Sequence, residues 1–321
     1  MDLYLVWDFM IRLNWHFAIA CLFYTSSLFA NSPREISNQI DVIIKKNIQF
    51  ESKDFGSKRP SETFVSVEAD PQLRLSVIDV VQDVLLFLPK EFQKEPLTVF
   101  FEEKADIKFP DGTIESTPLS LITKMQHPRK NSIRMGSLET GERVALFRSQ
   151  LSHEVSHLLV EWASRQSGVT NRDQEFFTNW SKSIYEGVAD FITAVVTRST
   201  LIGSEEIWFR RDIKSFETLS EARHSRLSLD LARFGLKREG LAPKFRVYRE
   251  WLDWLESVFR DEQVIDPYAE GLWIAGQLWK KVEAGCDSRE LVSNIIRLAA
   301  IEKRFENPQL FIESAVSSCK I

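Results

Sequence analysis

The spacing of apolar residues changes character near residue 140. Before that point, short runs rich in β-branched and aromatic side chains alternate with turn-forming residues, which is the pattern of strands. ETFVSVEA, with Phe64, Val65 and Val67, LTVFFEE (97–103) and SIRMGSL (132–138) each predict a strand. IKFPDGTIES predicts a hairpin that turns at Asp111-Gly112. Two helical patterns interrupt this region. REISNQIDVIIKKNI (34–48) has helical spacing and is followed by a linker-like KDFGSKRPSE. Asp70 and Pro71 supply an N-cap and a first-turn proline for a second helix, with Leu75, Ile78, Val81, Leu85 and Leu86 in its apolar stripe.

After residue 140 the apolar spacing is helical throughout. Helices are expected over 141–166, stopping near Gly168, and over 179–198, 205–226, 245–262, 270–284 and 288–303. Asn307-Pro308 caps a last helix to about residue 317. Trp251, Trp254, Leu255, Val258 and Phe259 make an apolar face that is expected to be core. The fold class is therefore α+β. An α/β lobe over 31–165 includes the first long helix, and a mainly helical lobe follows over 166–321.

Residues 15–30, WHFAIACLFYTSSLFA, are an apolar run preceded by Arg12 and followed by polar NSPRE. This order, with the small Ala30 at its end, is that of a signal peptide over 1–30. The run is shorter than the roughly 20 residues that span a bilayer. A secreted or periplasmic location is expected, with an uncleaved membrane anchor as the alternative and lipid attachment at Cys21 as a third. Cys286 and Cys319 would then share an oxidising compartment, either bridged or as two buried thiols. A net charge of −5, from 41 Lys+Arg and 46 Asp+Glu, gives no reason to expect nucleic acid or an acidic membrane as partner. Three cysteines are too few for a disulfide scaffold or a Cys-rich zinc module.

With only five histidines in the chain, His153-Glu154-Val155-Ser156-His157 stands out. Residues four apart on a helix share one face, so both imidazoles can reach one Zn²⁺. Glu154 lies beside them, where a general base would act on zinc-bound water. The stripe Val144, Phe147, Leu151, Val155, Leu158 and Trp162 gives the same helix a core-facing side. Zinc needs a third protein ligand. Glu161 lies about 12 Å along the helix from His153, too far to share an ion with it. Glu186 is the best candidate, and Asp190, four residues on, can accept the second N–H of a ligand imidazole. His224, in SEARHSRL, is a candidate donor to an oxyanion.

His153-Glu154-x-x-His157 followed by Glu186-x-x-x-Asp190 resembles the gluzincin metallopeptidases, the thermolysin-like group, over about residues 150–195. The resemblance implies zinc held by His153, His157 and Glu186, with Asp190 bracing His153. It implies a zincin-like α/β lobe, a helical lobe and a site between them. A second patch, Asp266-Pro267-Tyr268-Ala269-Glu270-Gly271 continuing LWIAGQLW, is similar to a region of fungalysin-like enzymes. Those enzymes carry a His where this chain has Tyr268, which the resemblance makes the oxyanion donor; a tyrosine hydroxyl can give the same bond. Thermolysin-like calcium clusters are not evident, and no calcium is expected. The implied activity is hydrolysis of peptide bonds in peptide or protein substrates by Glu154-assisted attack of zinc-bound water. The strand 132–138 is a candidate to pair with an extended substrate, and Arg134 within it is read as a surface residue rather than a substrate contact. The alternatives are a non-catalytic zinc protein that binds peptide or envelope, and a zinc hydrolase of a non-peptide amide.

Overall fold

The computed structural model describes residues 40–51, 62–102, 104–118, 126–127, 131–136, 144–168, 181–203, 211–231, 233, 246–301, 306–317 and 319. The segment read as a signal peptide lies outside the described residues. Strand β1 (Ile40–Glu51) occupies the place where helical spacing predicts a helix from 34 to 48. The helix expectation is wrong for its described part. Val42, Ile43 and Ile44 are β-branched and lose side-chain freedom in a helix. Burial there has period two: Ile40 and Val42 are buried and Asp41 is exposed.

The neighbours of β1 come from both near and distant sequence. Strand β2 (Glu62–Glu68) pairs with it antiparallel. Strands β3 (Leu97–Glu102) and β4 (Lys104–Lys108) pair with it parallel and with the same residue offset, so together they follow one line beside β1. Strand β5 (Ile114–Pro118) folds back on β4. The hairpin turns where Asp111-Gly112 predicts it: Gly112 takes φ 85°, and the Asp111 carboxylate accepts from the Thr113 amide and hydroxyl. Strands β6 (Gln126–His127) and β7 (Ser132–Gly136) complete the sheet, with β7 parallel to β3.

Helix α1 (Pro71–Leu85) begins as expected, with Asp70 accepting from the amides of Gln72 and Leu73. Its buried face is Val77, Ile78, Val80, Val81, Val84 and Leu85. Leu75 is 68% exposed and Leu86 is also exposed, against expectation. Both fall roughly 140–160° around the helix from the centre of that face, at 100° per residue. The helix packs on β1 and on α2 (Val144–Gln166), which also touches β7.

The second half is helical and built around α3 (Lys182–Thr197), which packs against α2 and α6 (Pro267–Glu283). The contact with α6 is backbone-close: a Cβ on Gly187 would sit 2.6 Å from the Gly271 carbonyl oxygen. The helix expected over 205–226 is replaced, among the described residues, by a short pairing of β8 (Leu201–Ile202) with β9 (Arg211–Asp212) and by α4 (Leu219–His224). Asp212 accepts from the Lys214 amide in a turn, and the Thr218/Glu221 capping box delays the helix start. Helices α5 (Arg246–Val258), α7 (Ser288–Ile301) and α8 (Pro308–Val316) lie close to their expected ranges. The α5 stripe is only partly core. Leu255 packs with Leu229, Leu252 and Phe259, whereas Trp254 is 57% exposed. A disulfide joins Cys286, just after α6, to Cys319, just after α8. Closing a loop of this length contributes about 3–4 kcal/mol through the unfolded chain. Among the described residues, no helix is long and apolar enough to cross a membrane. The fold class is α+β, as expected.

Candidate metal centre

Helix α2 is unusually polar for its position. From Leu151 to Ser164 every residue is buried except Glu154, which keeps partial access to solvent. The expected core stripe holds at Leu151, Val155, Leu158 and Trp162. The side chains of Val144 and Phe147 lie outside the described residues. Buried polar groups need partners, and the helix supplies several: Ser156 donates to the Ser152 carbonyl, and Ser164 donates to the Ala299 carbonyl of α7. Helix α3, N-capped by Ser181, is buried from Ser183 to Ala194. Its two inward carboxylates, Glu186 and Asp190, meet the two inward histidines of α2.

Their atoms converge. The His153 and His157 Nε2 atoms are 3.1 Å apart, and Glu186 Oε2 lies 3.3 Å and 3.5 Å from them. Ligand atoms bound tetrahedrally at about 2.05 Å lie about 3.3 Å from one another, by the geometry of zinc-type sites. The triangle of donors therefore has the dimensions of one face of such a tetrahedron. His153, His157 and Glu186 can hold a metal ion together.

Around the donors, His153 Nδ1 lies 2.8 Å from Asp190 Oδ1. This leaves Nε2 free for a metal and fixes the ring. Arg211, on β9, donates to the same Asp190 oxygen at 2.8 Å and is itself buried. In the metal-free protein burial disfavours the charged His153 imidazole, but Asp190 and then Glu186 outweigh it and raise the group to about 10. Burial also acts against ionised Glu186, yet contacts from His153 and His157 hold its carboxyl well below the ordinary range. Glu154 is shifted the other way: burial raises it, against the pull of the two imidazoles.

Tyr268, on α6, is half-buried. The Glu186 carboxylate and then burial push its phenol up, so the hydroxyl stays a donor. Arg211 and Lys182 lie over its ring at 5.5 Å and 5.2 Å. His224 is exposed at the end of α4, with Nδ1 donating to the Ser220 carbonyl, and among the described contacts makes none that join it to the cluster. Two neighbours of the site are not legible in the sequence pattern. Arg211 arrives on a two-residue strand with no motif around it. Tyr185, which stacks on His157, precedes Glu186 directly; that adjacency was its one available signal. Comparison of the chain with protein-family models, curated proteins and solved structures returns no match.

Proposed function

We propose that the protein is a zinc-dependent peptidase of the gluzincin type. The observation that carries this reading is the donor triangle of His153, His157 and Glu186, with Glu154 as the one partly open position on the buried stretch of α2. Two imidazoles and a carboxylate suit zinc. Zinc held there supplies Lewis acidity toward a substrate carbonyl and toward water. Glu154 takes the proton of the attacking water and passes it to the leaving amine. Burial raises its carboxyl above the ordinary value, the direction a group that both accepts and returns a proton needs. The Tyr268 hydroxyl donates to the developing oxyanion. Asp190 keeps His153 in the tautomer that presents Nε2.

The substrate is an extended peptide. That substrate lies along β7, the strand that meets β6 at Ser132 and Ile133 among the described residues. The α/β half before the site and the helical half after it correspond to zincin-like lobes. The Cys286–Cys319 bond supports a secreted or periplasmic location reached through residues 1–30.

The test is zinc quantitation and peptide cleavage by the wild type and by Glu154→Gln in parallel. One zinc per chain is expected in both. Cleavage by the variant is expected to fall about 10²–10⁴-fold, the usual weight of general acid–base catalysis. A Glu154→Gln protein that cleaves at the wild-type rate ends the mechanism. A zinc-loaded wild type inert to a broad peptide library turns the reading to a non-catalytic zinc protein or a hydrolase of non-peptide amides.

A further inference from the structure

The two imidazoles of the cluster are held in different ways. His153 presents Nδ1 to Asp190 at 2.8 Å, so a carboxylate sets its orientation. The Nδ1 atom of His157 is buried and, among the described residues, has no carboxylate beside it; the carboxylate near this ring, Glu186, faces its Nε2. Its ring lies face to face with Tyr185 instead: the centroids are 4.1 Å apart and the planes are inclined by 21°. Both rings are closed off from solvent, with Tyr185 2% and His157 4% exposed.

The torsion that turns an imidazole about its Cβ–Cγ bond is soft and broad. A ring free to turn aims its Nε2 lone pair away from a metal for part of the time. A carboxylate on Nδ1 removes that freedom for His153. For His157 the packed tyrosine face does so, because turning the imidazole drives its edge into the phenol ring. We propose that Tyr185 is a positioning residue of the metal centre, fixing His157 by ring stacking as Asp190 fixes His153 by its carboxylate. Helix α3 then supplies one ligand, Glu186, and the restraint on both others, within a single turn and a half. The inference rests on the metal-centre reading and is independent of peptide cleavage.

The experiment measures Zn²⁺ affinity by chelator competition, and the Co²⁺ absorption spectrum, for the full chain and for Tyr185→Phe and Tyr185→Leu. Phe keeps the stacked face, and its affinity is expected within about twofold of the wild type. Leu keeps apolar bulk without the face. It is expected to bind Zn²⁺ about 3- to 10-fold more weakly, the range of a lost aromatic contact, with a shifted Co²⁺ spectrum. Should the Leu protein not fold, Tyr185→Met fills the gap more flexibly and carries the same expectation. Leu or Met variants with wild-type affinity and spectrum overturn the inference. So does a Phe variant that loses as much as Leu, since the hydroxyl would then be the working group. A wild type that binds no zinc is a different result: it removes the metal centre itself.

Discussion

Helices α3 and α5 both mix apolar and charged residues. In α3 the carboxylate of Asp190 meets Arg211 at 2.8 Å, with 0% and 4% of the two side chains exposed. In α5 Arg246 meets Asp111 at 2.9 Å, with 45% and 53% exposed. The distances are nearly equal and the surroundings are not. A charge pair in water gains little, because solvent already satisfies both partners. A pair inside the fold cannot be separated cheaply, since breaking it leaves a charge with no water to turn to. The buried pair also has a task, because Asp190 touches His153 of the donor cluster, whereas the exposed pair joins α5 to a hairpin.

The strongest challenge to this contrast is Asp190→Ala. The change leaves Arg211 buried with one carboxylate fewer and His153 without its brace. Removing one partner of a buried pair costs about 3–5 kcal/mol, and losing the brace of a ligand imidazole costs about 10–100-fold in metal affinity. Urea denaturation of the metal-free protein and chelator competition read the two effects separately. Wild-type values in both would show that the buried pair is no different from a surface one.

Titration sharpens the same point. In the metal-free protein His153 keeps its proton to about pH 10, whereas an unfolded histidine releases it near 6.5. Between those values the folded state binds more protons, so stability falls as pH rises. The contribution is complete below about pH 6.5 and gone once pH has risen through about 10. Metal binding needs the neutral imidazole and expels that proton. Metal affinity is therefore expected to rise about tenfold per pH unit across the window. Melting temperatures of metal-free protein from pH 7 to 9.5 should fall while zinc affinity climbs. A metal affinity flat in pH would remove the protonated His153–Asp190 pair.

How much of this was legible depends on how far each residue's partner lies along the chain. Strands β2, β3 and β7 and the Asp111-Gly112 turn follow from local composition. The starts of α1 and α8 follow from Asp70-Pro71 and Asn307-Pro308, where cap and proline act within one turn. The same signature at Asp266-Pro267 starts α6 at Pro267, ahead of the expected residue 270. Local spacing does not reveal strand β1, because its parallel partner, β3, is far off in sequence and a local window sees only apolar spacing. His153, His157, Glu186 and Asp190 are legible as a cluster because residues four apart share one helix face. Arg211 and Tyr185 were not, since each acts through a contact between elements. Apolar periodicity likewise placed Trp254 in a core. The satellite cluster of Leu229 and Leu255 covers only part of α5, and Trp254 stays outside it.

The smallest effect is expected at Arg246. Its guanidinium lies 2.9 Å from Asp111 and 3.1 Å from Glu250, and its flat face covers the Phe109 ring at 4.3 Å. The Thr113 hydroxyl and amide, more than Arg246, bring the Asp111 carboxyl down to about 2, so that carboxylate stays ionised without the arginine. Removing the guanidinium returns both acids to water at little cost, because neither is buried. Arg246→Ala is therefore expected to leave the urea midpoint within error of the wild type at moderate salt, and to be indistinguishable from it at 1 M salt, where the screening length is about 3 Å. Zinc affinity and peptide cleavage should not change. A marked loss of stability that persists at high salt would point instead to the packing of the arginine face on Phe109, and α5 would then be anchored to the hairpin by an apolar contact that its exposed charges conceal.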